Sequence, residues 1–270
     1  MRAFGAMGAR RRFGSLGHLG KAGGGAFTPA QLTGLVAWYK ADVGVFSDAG
    51  VTPAVNSGNV QQWNDQSGHG YNLIQATTAN KPTFLTAGLN SKPAVSFAQA
   101  SNQFVQTALS TVVMGTGTTG SGFAVLQMTS AVPSNGTALS YAVTAGSDFN
   151  APGNARFINR ATTTNAIGSF RNSVAGPSSA VSLSTTVHIG TVYDGTNATS
   201  WLNNVSGGTG AQTSAWATNG AIVIGSAQNA GNAVGTGSSW DGPISEVVIT
   251  TSALSSTDRA NLEAYFTSRW

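Results

Sequence analysis

From residue 35 onward, apolar side chains come in short runs rich in Val, Ile, Phe and Trp, each closed by a cluster of Gly, Asn, Ser or Pro. That punctuation predicts strands, because β-branched and aromatic side chains suit a pleated, half-buried surface and the clusters supply turns. Strands are expected at 35–40, 60–64, 93–98, 103–107, 122–129, 138–144, 155–160, 166–171, 186–193, 198–203, 221–226 and 243–250. No room is left for crossover helices, so the chain reads as all-β. Two helical signals remain. Thr28-Pro29-Ala30-Gln31 has an N-cap Thr, Pro at the first helical position and Gln at the third, but opens only a short turn. At the other end Ser255 or Ser256 can cap a helix with Asp258 in its first turn; Leu262, Phe266 and Trp270 then share one face, and Leu254 can staple the entry. About a dozen strands without an internal linker fit one two-sheet antiparallel jelly-roll sandwich over 28–270. Its expected core includes Trp38, Trp63, Phe97, Val125, Ile189, Ile224 and Val248.

Composition sharpens this picture. Only 8% of the 270 residues are charged, so Ser, Thr, Asn, Gln and Gly must dress the surface, as in secreted or particle-borne β proteins. With 41% hydrophobic residues the chain is expected to fold. The absence of cysteine removes disulfides, thiolate metal sites and any cysteine nucleophile. No apolar run approaches the roughly 18 residues of a membrane helix, and the first 25 residues lack a signal-peptide apolar region. No membrane association is expected.

The net charge of +4 is concentrated in an extended N-terminal arm, residues 1–27. Arg2, Arg10, Arg11, Arg12 and Lys21 lie there with no acid, whereas the remaining 8 basic residues face all 9 acids, leaving the body near −1. The arm is also Gly-rich, which disfavours an isolated helix. Phe4 and Phe13 are interleaved with Arg10, Arg11 and Arg12. Phosphate neutralisation has no use for such apolar side chains, whereas docking into a protein neighbour does. The arm is therefore expected to anchor the chain, the alternative being a solvated terminus.

Three stretches carry a family resemblance. LVAWYKADVGV (35–45) leads to VQQWNDQSGHGYNLIQ (60–75); VYDGTNATSWLNN (192–204) reads as a hairpin with Asn204 where Gly is usual; and AIVIGS (221–226) precedes WDGPISEVVITTSALSSTDRANLEAYFTSR (240–269). In this order they resemble the laminin-G-like branch of the concanavalin A-like lectin/glucanase superfamily. The resemblance implies a concanavalin A-like sandwich more firmly than any one function, since such domains serve as sugar binders, adhesion modules and structural parts. Residues 110–185 match little.

The candidate chemistry is sparse. A glycosidase needs two carboxylates aimed into one cleft, and none of the nine acids forms an i, i+2 or i+4 pair on an expected strand. His69 and His188 read better as a turn residue and a core residue than as catalytic groups, and no His pair has metal-ligand spacing. Gly115-Thr-Gly117-Thr-Thr-Gly120 precedes a strand, not a helix, so it reads as a loop and not a phosphate cradle. Calcium is a possible ligand for Asp65, Asp194 and Asp241, since the resembled domains use an Asp at a loop rim; the alternative is that each caps its own turn. Trp201, Trp216 and Trp240, with Tyr71 as a weaker member, neighbour polar residues and are the candidates for a carbohydrate or assembly face, the alternative for each tryptophan being partial burial in the core.

The leading expectation is a non-enzymatic virion protein of a tailed bacteriophage: a head decoration, head fibre, collar or tail-fibre component, anchored by its arm and present in many copies or as a homo-oligomer. Its partners would be other virion proteins and host-surface glycans; nucleic acid is not expected, because the near-neutral body offers no basic groove. The second reading is a carbohydrate-binding adhesin at the bacterial surface or outside the cell, and the third a polysaccharide-degrading enzyme.

Overall fold

The computed structural model describes residues 26–108, 113–130, 136–143, 153–160, 165–171, 174–216, 220–227 and 238–270. Residues 1–25 of the arm, with Phe4, Arg10, Arg11, Arg12 and Phe13, lie outside these residues, as does Asp148. Seventeen strands occur among them. In chain order they begin with β1 (Leu35–Lys40), β2 (Val45–Phe46), β3 (Gln62–Trp63), β4 (Leu73–Ile74), β5 (Thr83–Leu89), β6 (Lys92–Phe97), β7 (Val105–Gln106), β8 (Thr119–Gln127) and β9 (Thr137–Val143). They continue with β10 (Ala155–Arg160), β11 (Ala166–Arg171), β12 (Val174–Ala180), β13 (Thr186–Asp194), β14 (Asn197–Leu202), β15 (Val205–Ala211), β16 (Gly220–Ile224) and β17 (Gly242–Thr250). One helix, α1 (Ser256–Arg269), follows.

These strands form the expected antiparallel sandwich. The eight-stranded sheet runs β15-β14-β13-β8-β17-β6-β5, with β1 also pairing to β17; the nine-stranded sheet runs β12-β11-β10-β9-β16-β7-β4-β3-β2. All seven expected core residues are buried, Trp63 completely. The inter-sheet core is aromatic-rich, and close packing fixes where glycine must stand: a Cβ on Gly122 would lie 2.6 Å from the Phe157 ring. Asn203 and Asn204 both adopt positive φ, 46° and 65°, so Asn serves the hairpin turn between β14 and β15 where Gly is usual.

The ends of the body follow their local signals. The Thr28 N–H donates to Gln31 Oε1 over the short Pro29–Gln31 turn. Ser255 caps α1 by accepting from the Asp258 N–H at 3.0 Å. Leu262, Phe266 and Trp270 then bury their stripe on the outer side of the eight-stranded sheet, against Trp38, Phe123, Val125 and Val248. A buried carboxylate ties this layer down. Glu246 of β17 is fully buried and accepts from Trp38 Nε1 (2.6 Å), Trp270 Nε1 (2.5 Å) and the Tyr265 hydroxyl (3.0 Å), with Arg269 Nε at 3.2 Å as its ion-pair partner.

Two of the expected surface aromatics are core residues instead. Trp216 is 3% exposed, stacks on Phe157 and sends its Nε1 to the Thr119 carbonyl; Trp240 is completely buried. Their polar sequence neighbours concealed this, because burial here is set by long-range packing rather than by local alternation.

Candidate functional site

Alternate residues of a strand face opposite sides of its sheet. In the nine-stranded sheet Val45, Trp63 and Leu73, then Val105, Ile224, Leu139 and Ile158, occupy neighbouring registers and all enter the core. The adjacent register therefore faces outward. It runs unbroken across eight strands as Phe46, Gln62, Ile74, Gln106, Val223, Ser140, Arg156 and Phe170, each residue paired with the next.

The middle of this row is closed and its ends are open. Val223, Ser140 and Arg156 are buried, and the Arg156 guanidinium donates to Asn159 Oδ1 (3.2 Å) and Ser238 Oγ (3.4 Å). Gln62, Gln106 and Phe170 are half-buried, and Ile74 is 45% exposed. Beside Ile74 and Gln106 lies a groove of about 390 Å³, walled also by Gln75, Thr77, Phe104 and Thr107. Gln75 braces its two sides. Its Nε2 donates to the Phe104 carbonyl at 3.1 Å, while its Oε1 accepts from the Thr77 N–H at 2.9 Å. On the floor, Thr107 Oγ1 accepts from the Ile222 N–H at 3.1 Å. The groove thus sets a half-exposed aromatic ring and an aliphatic side chain beside amide groups. Such a surface can cover the apolar C–H face of a sugar ring while the amides meet its hydroxyls.

The residues expected from the sequence do not assemble into one face. With Trp216 and Trp240 in the core, Trp201 remains half-buried beneath the Arg259 guanidinium, 3.6 Å from its ring centroid, and Tyr71 stacks on His69 in the loop between β3 and β4. The three candidate calcium aspartates occupy three separate turns. Asp65 accepts from the N–H groups of Trp38, Ser67 and Tyr71 and from the Ser67 hydroxyl. Asp194 accepts from the N–H groups of Asn197 and Thr196, which hold its carboxyl below the usual range. Asp241 accepts from the Gln99 N–H and the Thr129 hydroxyl. Asp194 serves its own turn, whereas Asp65 also ties its loop to β1 and Asp241 joins two distant segments, and among the described residues no group of three or more His, Cys, Asp or Glu side chains is placed to hold a metal ion. The groove residues went unseen because Ile74 and Gln106 sit on two-residue strands, and they become neighbours only through pairing between strands distant in sequence.

No protein-family model matches the chain, and no curated protein matches it in sequence. Its fold recurs in solved structures. A Trypanosoma rangeli sialidase in complex with the inhibitor DANA superposes with a TM-score of 0.51 at 12% identity, over 87% of this chain and 33% of that one. The chain thus spans about a third of the sialidase's length. Domain 4 of a GH43 extracellular arabinanase from Geobacillus stearothermophilus, in complex with arabinotriose, gives 0.53 at 12% identity over 85% of this chain and 98% of that one. A GH54 α-L-arabinofuranosidase gives 0.57 at 15% identity, over 85% and 62%. At these identities the likeness establishes a sandwich fold shared with glycoside hydrolases and sialidases. It corrects the expectation that the chain is not an enzyme. That expectation rested on the spacing of acids along single strands, and the structures sharing this fold come from a sialidase, an arabinanase and an arabinofuranosidase.

Proposed function

We propose that the chain is a carbohydrate-binding, laminin-G-like sandwich whose ligand lies in the groove beside Ile74, Phe104 and Gln106. The groove itself carries the reading: an aromatic and an aliphatic side chain stand next to amides on an outward sheet face, with walls fixed by Gln75. The fold likeness supports it, because one structure sharing the fold is a separate domain in complex with arabinotriose. Calorimetric titration of the full chain with arabinotriose and a panel of oligosaccharides tests it. Phe104→Ala and Gln106→Ala should each weaken binding about tenfold while the protein stays folded. Both variants binding as wild type would remove the groove from the site. Affinity per site should be low and rise steeply when many copies are displayed together.

The setting we propose is display on a tailed-phage particle through residues 1–27. This reading is supported by the compositional border at Thr28, where a +5, Gly-rich segment meets a near-neutral sandwich. Deleting residues 1–25, which spares Phe27 and its edge-on contact with Tyr265, should leave the melting temperature of the body almost unchanged and abolish its attachment to particles. A mass-spectrometric inventory of purified particles without this chain at fixed stoichiometry would overturn the setting and leave the carbohydrate reading intact.

A further inference from the structure

A second groove, of about 370 Å³, separates α1 from the end of the hairpin formed by β13 and β14, with Thr186, His188, Asn203, Asn204, Glu263 and Thr267 in its walls. It lies on the eight-stranded sheet's side of the molecule. Glu263 is 3% exposed, yet neither carboxylate oxygen has a hydrogen-bond donor among the described residues; the group facing it is the His188 imidazole, whose Nδ1 lies 3.5 Å from Oε2. Packing alone would favour an apolar residue here, as at neighbouring Leu262 and at Phe266, since a carboxylate removed from water without donors is costly.

The imidazole gives the carboxylate a purpose. The His188 ring rests against Phe266, with centroids 5.6 Å apart, and its backbone N–H donates to Asn203 Oδ1 at 2.8 Å. An Nδ1–H tautomer aims its proton at Glu263 and leaves Nε2 as an acceptor toward the groove. Nε2 has no hydrogen-bond partner among the described residues. The same groove is lined by two amides whose oxygens are already engaged, Asn203 Oδ1 by His188 and Asn204 Oδ1 by the Arg259 guanidinium, so both Nδ2 groups are left as donors. Arg259, which holds Asn204 Oδ1, also lies over the Trp201 ring in a separate, smaller groove.

A matching ligand must donate and accept within a few ångströms. Sugar hydroxyls do both; an alkylammonium only donates. We propose that this groove is a second saccharide site, in which His188 Nε2 receives a ligand hydroxyl, the amides of Asn203 and Asn204 donate to its neighbours, and Glu263 is a positioning residue that fixes the imidazole tautomer. The class of ligand rests on the carbohydrate reading; the site is independent of the groove beside Gln106.

The test titrates full-length protein with labelled histidine against arabinotriose, the oligosaccharide panel and butylamine, following the imidazole nitrogens by NMR, with His188→Ala assigning the signal. A saccharide should shift the His188 Nε2 resonance. Asn204→Gly, which keeps the left-handed turn at an exposed position, should weaken that binding at least tenfold, and Gln106→Ala should leave it unchanged. Glu263→Gln should alter the tautomer signature and weaken binding without removing it. An Nε2 signal that moves with no saccharide, or only with butylamine, overturns the proposal. So does a titration in which Asn204→Gly binds as wild type while Gln106→Ala loses all binding, a result that would leave the outer-face reading standing.

Discussion

Glu246→Ala should destabilise the protein by about 3–5 kcal/mol, the usual cost of breaking a buried charge pair, and should loosen α1 before the sandwich melts. The substitution strands Trp38 Nε1, Trp270 Nε1 and the Tyr265 hydroxyl together and leaves the Arg269 guanidinium with Asp42 alone, and these groups span β1, α1 and the residue after it. Denaturant unfolding gives the loss, and amide exchange across 256–269 shows where it falls. A penalty below about 1 kcal/mol would mean that apolar packing alone holds the helix. Glu246→Gln isolates the charge. Burial raises the Glu246 carboxyl above its ordinary value of 4.5, and hydrogen bonds from Trp38 and Trp270, the Arg269 charge and the Tyr265 hydroxyl pull it part of the way back. The folded state therefore holds this proton more tightly than the unfolded chain. Stability from the protonated form is complete below pH 4.5 and is lost as pH rises through the folded value. Gln cannot titrate, so the stability gap between wild type and Glu246→Gln should widen as pH falls from 7 to 4.5.

Trp216→Ala should cost a further large amount, about 3–5 kcal/mol, despite the polar sequence around it. Its indole stacks on Phe157 at 5.3 Å and meets the rings of Tyr193 and Tyr141 edge-on. Over its other face, 3.7 Å from the centroid, lies the guanidinium of fully buried Arg171, which donates to the Thr118 and Ser214 carbonyls and has no carboxylate partner among the described residues. Burial lowers Arg171 to about 10. Removing the indole opens a cavity under a buried charge and takes away its π-face. Trp201→Ala, whose ring is half-buried under solvent-facing Arg259, should cost only about 1 kcal/mol. Comparable melting temperatures for the two variants would contradict this placement.

These two tryptophans show what the sequence holds and what it conceals. Strands β10 and β11 stand at 155–160 and 166–171 as expected, because runs such as ARFINR and AIGSFR declare themselves by side-chain type. β12 and β15 were invisible. Their sequences, VAGPSSA and VSGGTGA, have little β propensity and become strands only because β11 and β14 offer them a pairing edge. The helix was legible through its cap and its four-residue spacing, which need nothing beyond the local chain. The grooves were not. Gln106 meets Ile74 across thirty-two residues of chain, and Glu263 meets His188 across seventy-five, so neither pair leaves a local trace.

The position of β17 has a consequence for how the chain comes to be folded. It lies between β8 and β6 and also pairs with β1, so the strand that joins the halves of the eight-stranded sheet is the last of that sheet's strands to be made. Until residues 242–250 leave the ribosome, β5 and β6 cannot connect with β8, β13, β14 and β15, and β1 waits for a partner some 200 residues downstream. Closure then depends on contacts of very long sequence separation, the kind that places a domain among the slow folders, in milliseconds to seconds. During synthesis the nascent chain carries three strands, β1, β6 and β8, with an edge that waits for β17, each open to a wrong partner. Emergence of residues 242–250 is the event that covers all three.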